Sequence, residues 1–441
     1  MFSTIQPILP ETSVRNVITT SIADCYNSII QTIKPLRKTE VAGTLDMAGL
    51  LEKYSPLTKQ VEIDVKKDLG HLAYTGGTTG VSKGVMLTHY NLVVNAFQAS
   101  NWFIGAQFEM KDGMIEEVFP PGIDPKKNSL VRDRNTALIA APWFHAMGTT
   151  GFLNAQVATG NTMVVYPRFD PAEYIGGVNK YRADILGGAP QMYIPIINLP
   201  EFAGIDLSQV KLATSGAAPL ARVMLDRLLD SFSGVVCEVY GLTECTAAAT
   251  MNPPSREKIR QGSVGIPSFD TLIKIIDPDT AQELTQGEEG EVCIKGPQVM
   301  QGYWGKPEAS AEVLRDGWLL TGDIGRMDED GYLFITDRKK DLIIYKGYNV
   351  YPRELEEIIY EHPAVELCAV VGKKDPWGEL PVACVQLKQG MEATPDAILE
   401  YVNSKVTPYK KLREVNILAT VPVSAAGKIL RKEIRNRCNQ E

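Results

Sequence analysis

Short apolar runs bounded by glycine and proline alternate with amphipathic stretches through most of this chain. Thr136–Ala141, ending at Pro142, has the apolar character of a strand buried in a parallel sheet, and so does Thr162–Tyr166, while Val235–Val239 reads as a strand leading to Tyr240. Arg182–Pro190 reads as a strand and turn, and Lys211–Leu220 as a strand, turn and helix start. Met192–Ile197 reads as a helix broken near its start by Pro195. Leu72–Tyr74 is a strand end, and Thr88 caps a helix running through Val93, Ala96 and Phe97. Residues 109–134 are polar and broken by Pro120, Pro121, Gly122 and Pro125, the signature of a surface excursion.

The second half changes character. Thr271–Asp277 and Gly290–Gly296 read as two strands joined by a polar loop. Asp328–Gly331 is a turn and Tyr332–Ile335 a strand. Beyond Lys340, Pro352 opens a helix, Val365–Val371 and Val382–Leu387 are strands, and Pro395–Lys405 is a helix. Residues 1–70 carry the least pattern: a short strand at Val14–Thr20, a helical piece at Met47–Leu51, and a strand or extended linker at Val61–Val65.

At 441 residues the chain exceeds one hydrophobic core, so at least two domains are expected. A formal net charge of -8 disfavours nucleic acid as the main partner. The 7 cysteines are odd in number and widely spaced, which suits a reducing compartment, and the 4 histidines lack zinc-ligand spacing. No long uncharged apolar stretch predicts a membrane span, and Met1–Pro7 has no secretory-signal pattern.

The densest chemistry lies in Tyr74–Gly84, where four glycines, three threonines, a serine and a lysine fall within eleven residues. Gly76, Gly77, Gly80 and Gly84 permit positive φ and close approach of the backbone to a ligand. Thr75, Thr78, Thr79 and Ser82 add hydroxyl donors and Lys83 a point charge, so the loop is suited to a nucleotide triphosphate. It lacks the Gly-Lys-Ser/Thr ending of the usual P-loop.

Tyr74–Gly84 resembles the phosphate-binding signature of the adenylate-forming superfamily of acyl-CoA synthetases, luciferases and peptide-synthetase adenylation domains. Further motifs follow in family order: Trp143–Gly148, Ser215–Ala218, Tyr240–Glu244, Trp318–Asp323, Thr336–Ile343 and Val423–Arg431. The resemblance implies a large α/β domain over residues 1–340, with several β-sheets and flanking helices, and a small mobile C-terminal α+β domain over 341–441. It implies a ligase that joins a carboxylic acid to AMP with ATP and magnesium, then transfers the acyl group to coenzyme A. Members carry a longer segment before the phosphate loop, so a shortened N-terminus is expected: either another segment completes the first sheet or the gene product is a shortened one.

By resemblance, His145 packs near the acyl and phosphate groups and helps gate the pocket, while the turn at Gly187 and Gly188 leaves room for the acyl chain. Adenine lies over the small-residue turn Ser215, Gly216 and Ala217, with Tyr240 stacking nearby. Thr243 bonds phosphate, and Glu244 holds Mg2+, a cation that prefers oxygen ligands. Asp323 accepts from both ribose hydroxyls, since an ionised carboxylate matches a vicinal diol. Arg338 contacts ribose and phosphate, Lys340 is the hinge, and Lys346 and Gly347 line a CoA tunnel after domain rotation. Lys428 reaches the carboxylate and α-phosphate oxygens. Trp143–Gly148 offers no acidic residue for an α-amino group, so a medium- or long-chain fatty acid is the expected substrate. An aryl-CoA ligase, an acyl-AMP ligase serving a carrier protein and an inactive scaffold stay open. A cytoplasmic location, with or without peripheral contact with a membrane, and a monomer or homodimer are expected.

Overall fold

The computed structural model describes residues 5–21, 24, 38–56, 61–75, 82–119, 130, 135–200, 202–218, 220–376, 378–424 and 428–439. Two compact units are present, Met1–Ile63 and Asp64–Glu441. In the first, β1 (Ile18–Thr19) pairs in parallel with β2 (Leu45–Asp46). Asp46 then caps α1 (Met47–Lys53), its carboxylate accepting from the Gly49 N–H at 3.0 Å. No strand forms at Val61–Ile63.

The second unit opens with β3 (Leu69–Tyr74) and β4 (Gly84–Thr88), an antiparallel pair joined by the glycine-rich loop. Gly84 is a strand residue, so the positive φ expected there is not used. Thr88 and Asn91 form a reciprocal capping box that starts α2 (His89–Ile104). The expected polar excursion contains a hairpin of β5 (Gln107–Lys111) and β6 (Met114–Val118), whose charged residues mask its alternation.

A seven-stranded sheet forms the centre. Its strands are β7 (Thr136–Ile139), β8 (Thr162–Val165), β9 (Ile185–Gly188), β10 (Leu212–Gly216), β11 (Val235–Tyr240), β12 (Thr250–Met251) and β13 (Ile266–Pro267). The order is β13-β12-β11-β10-β9-β7-β8, parallel from β11 to β8 and antiparallel at β12 and β13. β8 lies at the edge with Thr162 and Val165 exposed, not fully buried as its composition suggests.

Side-chain alternation splits this sheet into two faces. Leu138, Leu186, Ala213 and Val236 pack with residues of α3 (Pro171–Tyr181), α4 (Pro190–Ile197) and α5 (Arg222–Ser231). Ala137, Ile139, Ile185, Leu212 and Cys237 pack on the other side around Phe152. Pro195 lies within α4 and does not end it, because that helix starts at Pro190 and finishes two residues past Pro195.

Three further sheets follow. β14 (Leu272–Ile276), β15 (Gly290–Lys295), β17 (Leu314–Arg315), β18 (Trp318–Met327) and β19 (Leu333–Arg338) form one antiparallel sheet. β16 (Gly302–Tyr303) adds to β4 beside the glycine-rich loop. The C-terminal portion contributes β20 (Ile343–Tyr345), β21 (Tyr348–Val350), β22 (Val365–Asp375), β23 (Gly378–Leu387) and β24 (Glu414–Ile417) as a five-stranded sheet. Leu355 and Ile359 of α6 (Pro352–Tyr360) and Ile398 and Val402 of α7 (Pro395–Asn403) bury one of its faces, and Ile434 of α8 (Arg431–Cys438) the other. The architecture is thus a large α/β part with several mixed sheets and a smaller C-terminal α+β part. Among the described residues no helix is long and apolar enough to cross a membrane.

Candidate active site

A cavity of about 990 Å³ lies beyond the carboxyl ends of the parallel strands and continues along one face of that sheet. Residues far apart in sequence meet in its wall: Thr75, Ser82, Lys83, His145, Ser215, Gly216, Ala217, Thr243, Glu244, Asp323, Arg338, Lys340 and Lys428. Gly76, Gly77, Thr78, Thr79 and Gly80 lie outside the described residues. Lys346 and Gly347 do not line this cavity. They form the positive-φ turn between β20 and β21, with φ of 51° and 82°.

The ends of the glycine-rich loop are held together. The Thr75 N–H donates to the Lys83 carbonyl at 3.0 Å, and the Ser82 hydroxyl donates to the Thr75 carbonyl. The Lys83 ammonium sits 4.6 Å from the centre of the Tyr303 ring, and the Tyr303 hydroxyl donates to Glu244 Oε1 at 2.8 Å. Tyr303 is a site residue that motif reading passes over. Its only signal is an aromatic between glycines 302 and 305, and its role depends on β16 pairing with β4.

Asp323 is buried on β18, and its register partner across to β19 is Arg338. Arg338 Nε lies 3.1 Å from Asp323 Oδ1, while the Tyr240 hydroxyl donates to Oδ2 at 2.7 Å. Each carboxylate oxygen keeps a further lone pair for a hydroxyl donor. Burial and the adjacent Asp323 carboxylate push the Tyr240 phenol well above its ordinary value, so it stays a donor.

A smaller cavity of about 180 Å³ adjoins this pair, lined by Ser215, Ala217, Tyr240, Gly241, Arg338 and Gln191 among others. Ala217 takes φ 67°, a strained value for a residue with a side chain. Ser215 Oγ and Gln191 Oε1 are buried there without a hydrogen-bond partner among the described residues. Unsatisfied polar atoms facing a slot of small residues suit a flat base with polar edges.

Lys428 is bonded twice to Ser424, whose N–H donates to the Lys428 carbonyl at 2.7 Å and whose hydroxyl accepts from the Lys428 N–H at 3.1 Å. Burial, with Arg338 and Lys340 nearby, lowers the Lys428 ammonium to about 8. Burial and then Lys428 lower His145, so its ring is neutral at neutral pH. His145 Nδ1 accepts from the Met147 N–H at 3.3 Å, which leaves the proton on Nε2.

Much of the rest of the cavity wall is apolar. Leu212, Thr214 and Gly216 share one face of β10, opposed by Ala99, Phe103 and Met147. Gly187 and Gly188 do not open space for a ligand as expected. A side chain on Gly187 would meet the Phe152 ring at 1.9 Å, and one on Gly188 would meet Met192 at 3.1 Å. Phe152 itself lines the cavity.

Among the described residues no cluster of three acidic, histidine or cysteine side chains could hold a metal. Glu244 offers one carboxylate, held through Oε1 by Tyr303. That fits magnesium only where a substrate's phosphates supply further oxygens, which is how this ion is commonly bound.

Comparison with known proteins agrees with this geometry. Residues 3–304 match the family described as AMP-binding enzyme, and 354–428 match its C-terminal domain. The chain is 36% identical over 431 residues to a long-chain-fatty-acid–CoA ligase of Bacillus subtilis, covering 96% of this chain and 72% of that protein. It is also 36% identical to a probable 4-coumarate–CoA ligase 1 of Dictyostelium discoideum, covering 96% and 73%. ATP-bound MatB from Rhodopseudomonas palustris superposes with a TM-score of 0.74 at 29% identity, covering 86% of this chain and 69% of that one. The chain therefore belongs to the AMP-binding enzymes of the adenylate-forming superfamily, ligases that activate a carboxylic acid through AMP.

Proposed function

We propose that this protein is an ATP-dependent acyl-CoA ligase acting on a medium- or long-chain fatty acid. The observation that carries the reading is the single cavity that joins a cationic, hydroxyl-rich end to an apolar wall along β10. An anionic phosphate ester and a hydrocarbon chain need those two environments in contact. The carboxylate oxygen attacks the α-phosphorus of ATP, an O–P bond forms and pyrophosphate leaves. A carboxylate is ionised at neutral pH, so the chain need supply no base.

In this reading Asp323 holds the ribose hydroxyls, Arg338 contacts ribose and phosphate, and the Ser215, Gly216 and Ala217 turn with Tyr240 holds adenine. Thr75, Ser82, Lys83 and Thr243, which line the cavity, contact the phosphates. Bound at Glu244, Mg2+ would neutralise phosphate charge. Lys428 places its charge where negative charge develops, an electrostatic contribution. Neutral His145 packs near the carboxylate without adding a charge of its own.

The CoA thiol then attacks the acyl carbonyl, a C–S bond forms and AMP leaves. Lys346 and Gly347 lie outside the cavity, so their service to CoA requires the 341–441 part to turn about Lys340 against 1–340. A second reading, an aryl-CoA ligase, is favoured by Phe103, Phe144 and Phe152 in the cavity wall and by the similarity to a 4-coumarate–CoA ligase. Carboxylate-dependent exchange of labelled pyrophosphate into ATP, across fatty acids and benzoates, tests both. Exchange with fatty acids supports the first reading; exchange with benzoates alone replaces it with the second.

A further inference from the structure

Thr243 and Glu244 sit on the loop that joins β11 to β12, and this loop doubles back on itself. The Ala249 N–H donates to the Tyr240 carbonyl at 2.8 Å, and a side chain on Gly241 would meet the Ala247 carbonyl oxygen at 1.9 Å. The reversal is made at Thr246, with φ 68° and ψ -60°, where the Ala247 N–H donates to the Cys245 carbonyl at 2.8 Å. That is a tight γ-turn, strained for a residue with a side chain, and it persists only where its surroundings hold it.

What holds it is buried and polar. The Thr246 hydroxyl donates to the Gln298 carbonyl at 2.7 Å, and the Met300 N–H donates to the Glu244 carbonyl at 3.0 Å. Asn95 of α2, 1% exposed, clamps both backbone groups of Ala248: its Oδ1 accepts from the N–H at 3.0 Å and its amide donates to the carbonyl at 2.8 Å. Asn91, one turn earlier, donates to the carbonyls of Pro297 at 2.7 Å and Val299 at 3.1 Å. α2 starts at the end of β4, the strand that leaves the glycine-rich loop. These two amides thus tie that strand to the 297–300 segment and to the loop carrying Glu244. Polar side chains on the buried face of a helix carry a desolvation cost unless fixed partners offset it. Neither Thr246 nor Asn95 lines the cavity.

We infer that Thr246 and Asn95 are positioning residues for the phosphate end of the site, holding the γ-turn in the conformation that presents Thr243 and Glu244 to ATP. The inference rests on the reading of Thr243 and Glu244 as contacts of the phosphates and their magnesium. Loss of the Thr246 hydroxyl bond or the Asn95 clamp lets the strained turn relax and moves Thr243 and Glu244 with it. Ser215 on β10 and Asp323 on β18, which serve the nucleoside, stay in place. ATP therefore loses affinity while adenosine, which has no phosphate, keeps its own. A residue that only stabilised the fold would weaken both together.

The test is calorimetric binding of ATP with magnesium, and of adenosine, without any acid present. Thr246→Val keeps the branched shape and removes the hydroxyl, and the ratio of ATP affinity to adenosine affinity falls about tenfold. Thr246→Ser restores the bond and returns the ratio to near its wild-type value. Asn95→Ser withdraws the amide from Ala248 and leaves room for water; it lowers the ratio too, and it serves if Thr246→Val fails to fold. A ratio unchanged in both Thr246→Val and Asn95→Ser, or equal losses for ATP and adenosine, overturns the inference. Glu244→Gln tests the underlying reading separately. If it leaves the ratio at the wild-type value, Glu244 does not serve ATP, and the inference falls with that reading. If it lowers the ratio while Thr246→Val and Asn95→Ser do not, the inference alone fails.

Discussion

Arg338 Nε stands 3.1 Å from Asp323 Oδ1 because β18 and β19 place these two residues opposite one another in register. Both residues line the polar end of the cavity, and the pair joins β18 to β19, the last strand before the C-terminal portion. Asp323→Ala leaves the guanidinium without its carboxylate partner. Arg338 keeps a third of its side chain exposed, so the expected loss of stability is about 2 kcal/mol, below that for a fully buried pair. The KM for ATP should rise with it. Urea unfolding with and without ATP measures both, and an unchanged KM would remove Asp323 from the nucleotide site.

Lys428 should impose a pH limit on the first half-reaction. Its ammonium titrates near about 8 in the free protein, lowered by burial and by Arg338 and Lys340. A lowered ammonium loses its charge as pH rises through that value, so kcat/KM for adenylation should fall above pH of about 8. Lys428→Ala should depress adenylation and abolish this limb, while thioester formation from supplied acyl-AMP is much less affected. Equal losses in both half-reactions would overturn the assigned role.

Glu238 is buried behind the smaller cavity, and burial pushes its carboxyl up to about 7, against the pull of Arg353. The folded state therefore keeps a proton that the unfolded chain releases near its ordinary value of 4.5. The unfolded state binds fewer protons across that interval, so this group's contribution to stability declines as pH rises from about 4.5 to about 7 and then levels off. The decline is about 3 kcal/mol for a shift of this size. Asp337, pushed up to about 6 by burial, titrates in the same window. The difference between wild type and Glu238→Gln in chemical denaturation at pH 5 and pH 8 isolates Glu238; identical pH slopes would refute its part.

Tyr303→Phe tests how Glu244 is held. The variant loses the 2.8 Å bond to Glu244 Oε1 but keeps the ring beneath Lys83. Loss of a group that orients a metal ligand commonly weakens metal affinity tenfold or more. The magnesium concentration giving half-maximal exchange should rise about tenfold at saturating acid. A rise in the KM for the acid alone would place Tyr303 in the acyl pocket instead.

Gly187→Ala puts a methyl group into space held by the Phe152 ring, 1.9 Å away. Forcing that ring over costs about 1–3 kcal/mol and moves it into the cavity it lines. The longest acids should lose kcat/KM most, as an acid series would record. Uniform loss across the series would mean that the strain is absorbed away from the acyl wall.

Local sequence determined much of this protein. The apolar run ending at Pro142 marked β7, because a strand covered on both faces is built mainly of apolar residues. Thr88 marked the start of α2 through its capping oxygen, and Pro352 the start of α6. The ordered motifs named the family, since each keeps its residue types on a short segment. Register and packing decided the rest. Alternation could not tell that β8 is an edge strand, because that depends on the absence of a neighbour, not on its own residues. Nor could a glycine pair at 187 and 188 reveal that Phe152 and Met192 occupy the space it leaves. Tyr303 joined Glu244 and Lys83 only once β16 had added to β4. The hydrogen bonds among Asn135, Gln156 and Asn161 likewise exist only in the folded chain. Hydrogen bonds between strand starts and a helix depend on distances that three-dimensional packing sets and that spacing in sequence does not encode.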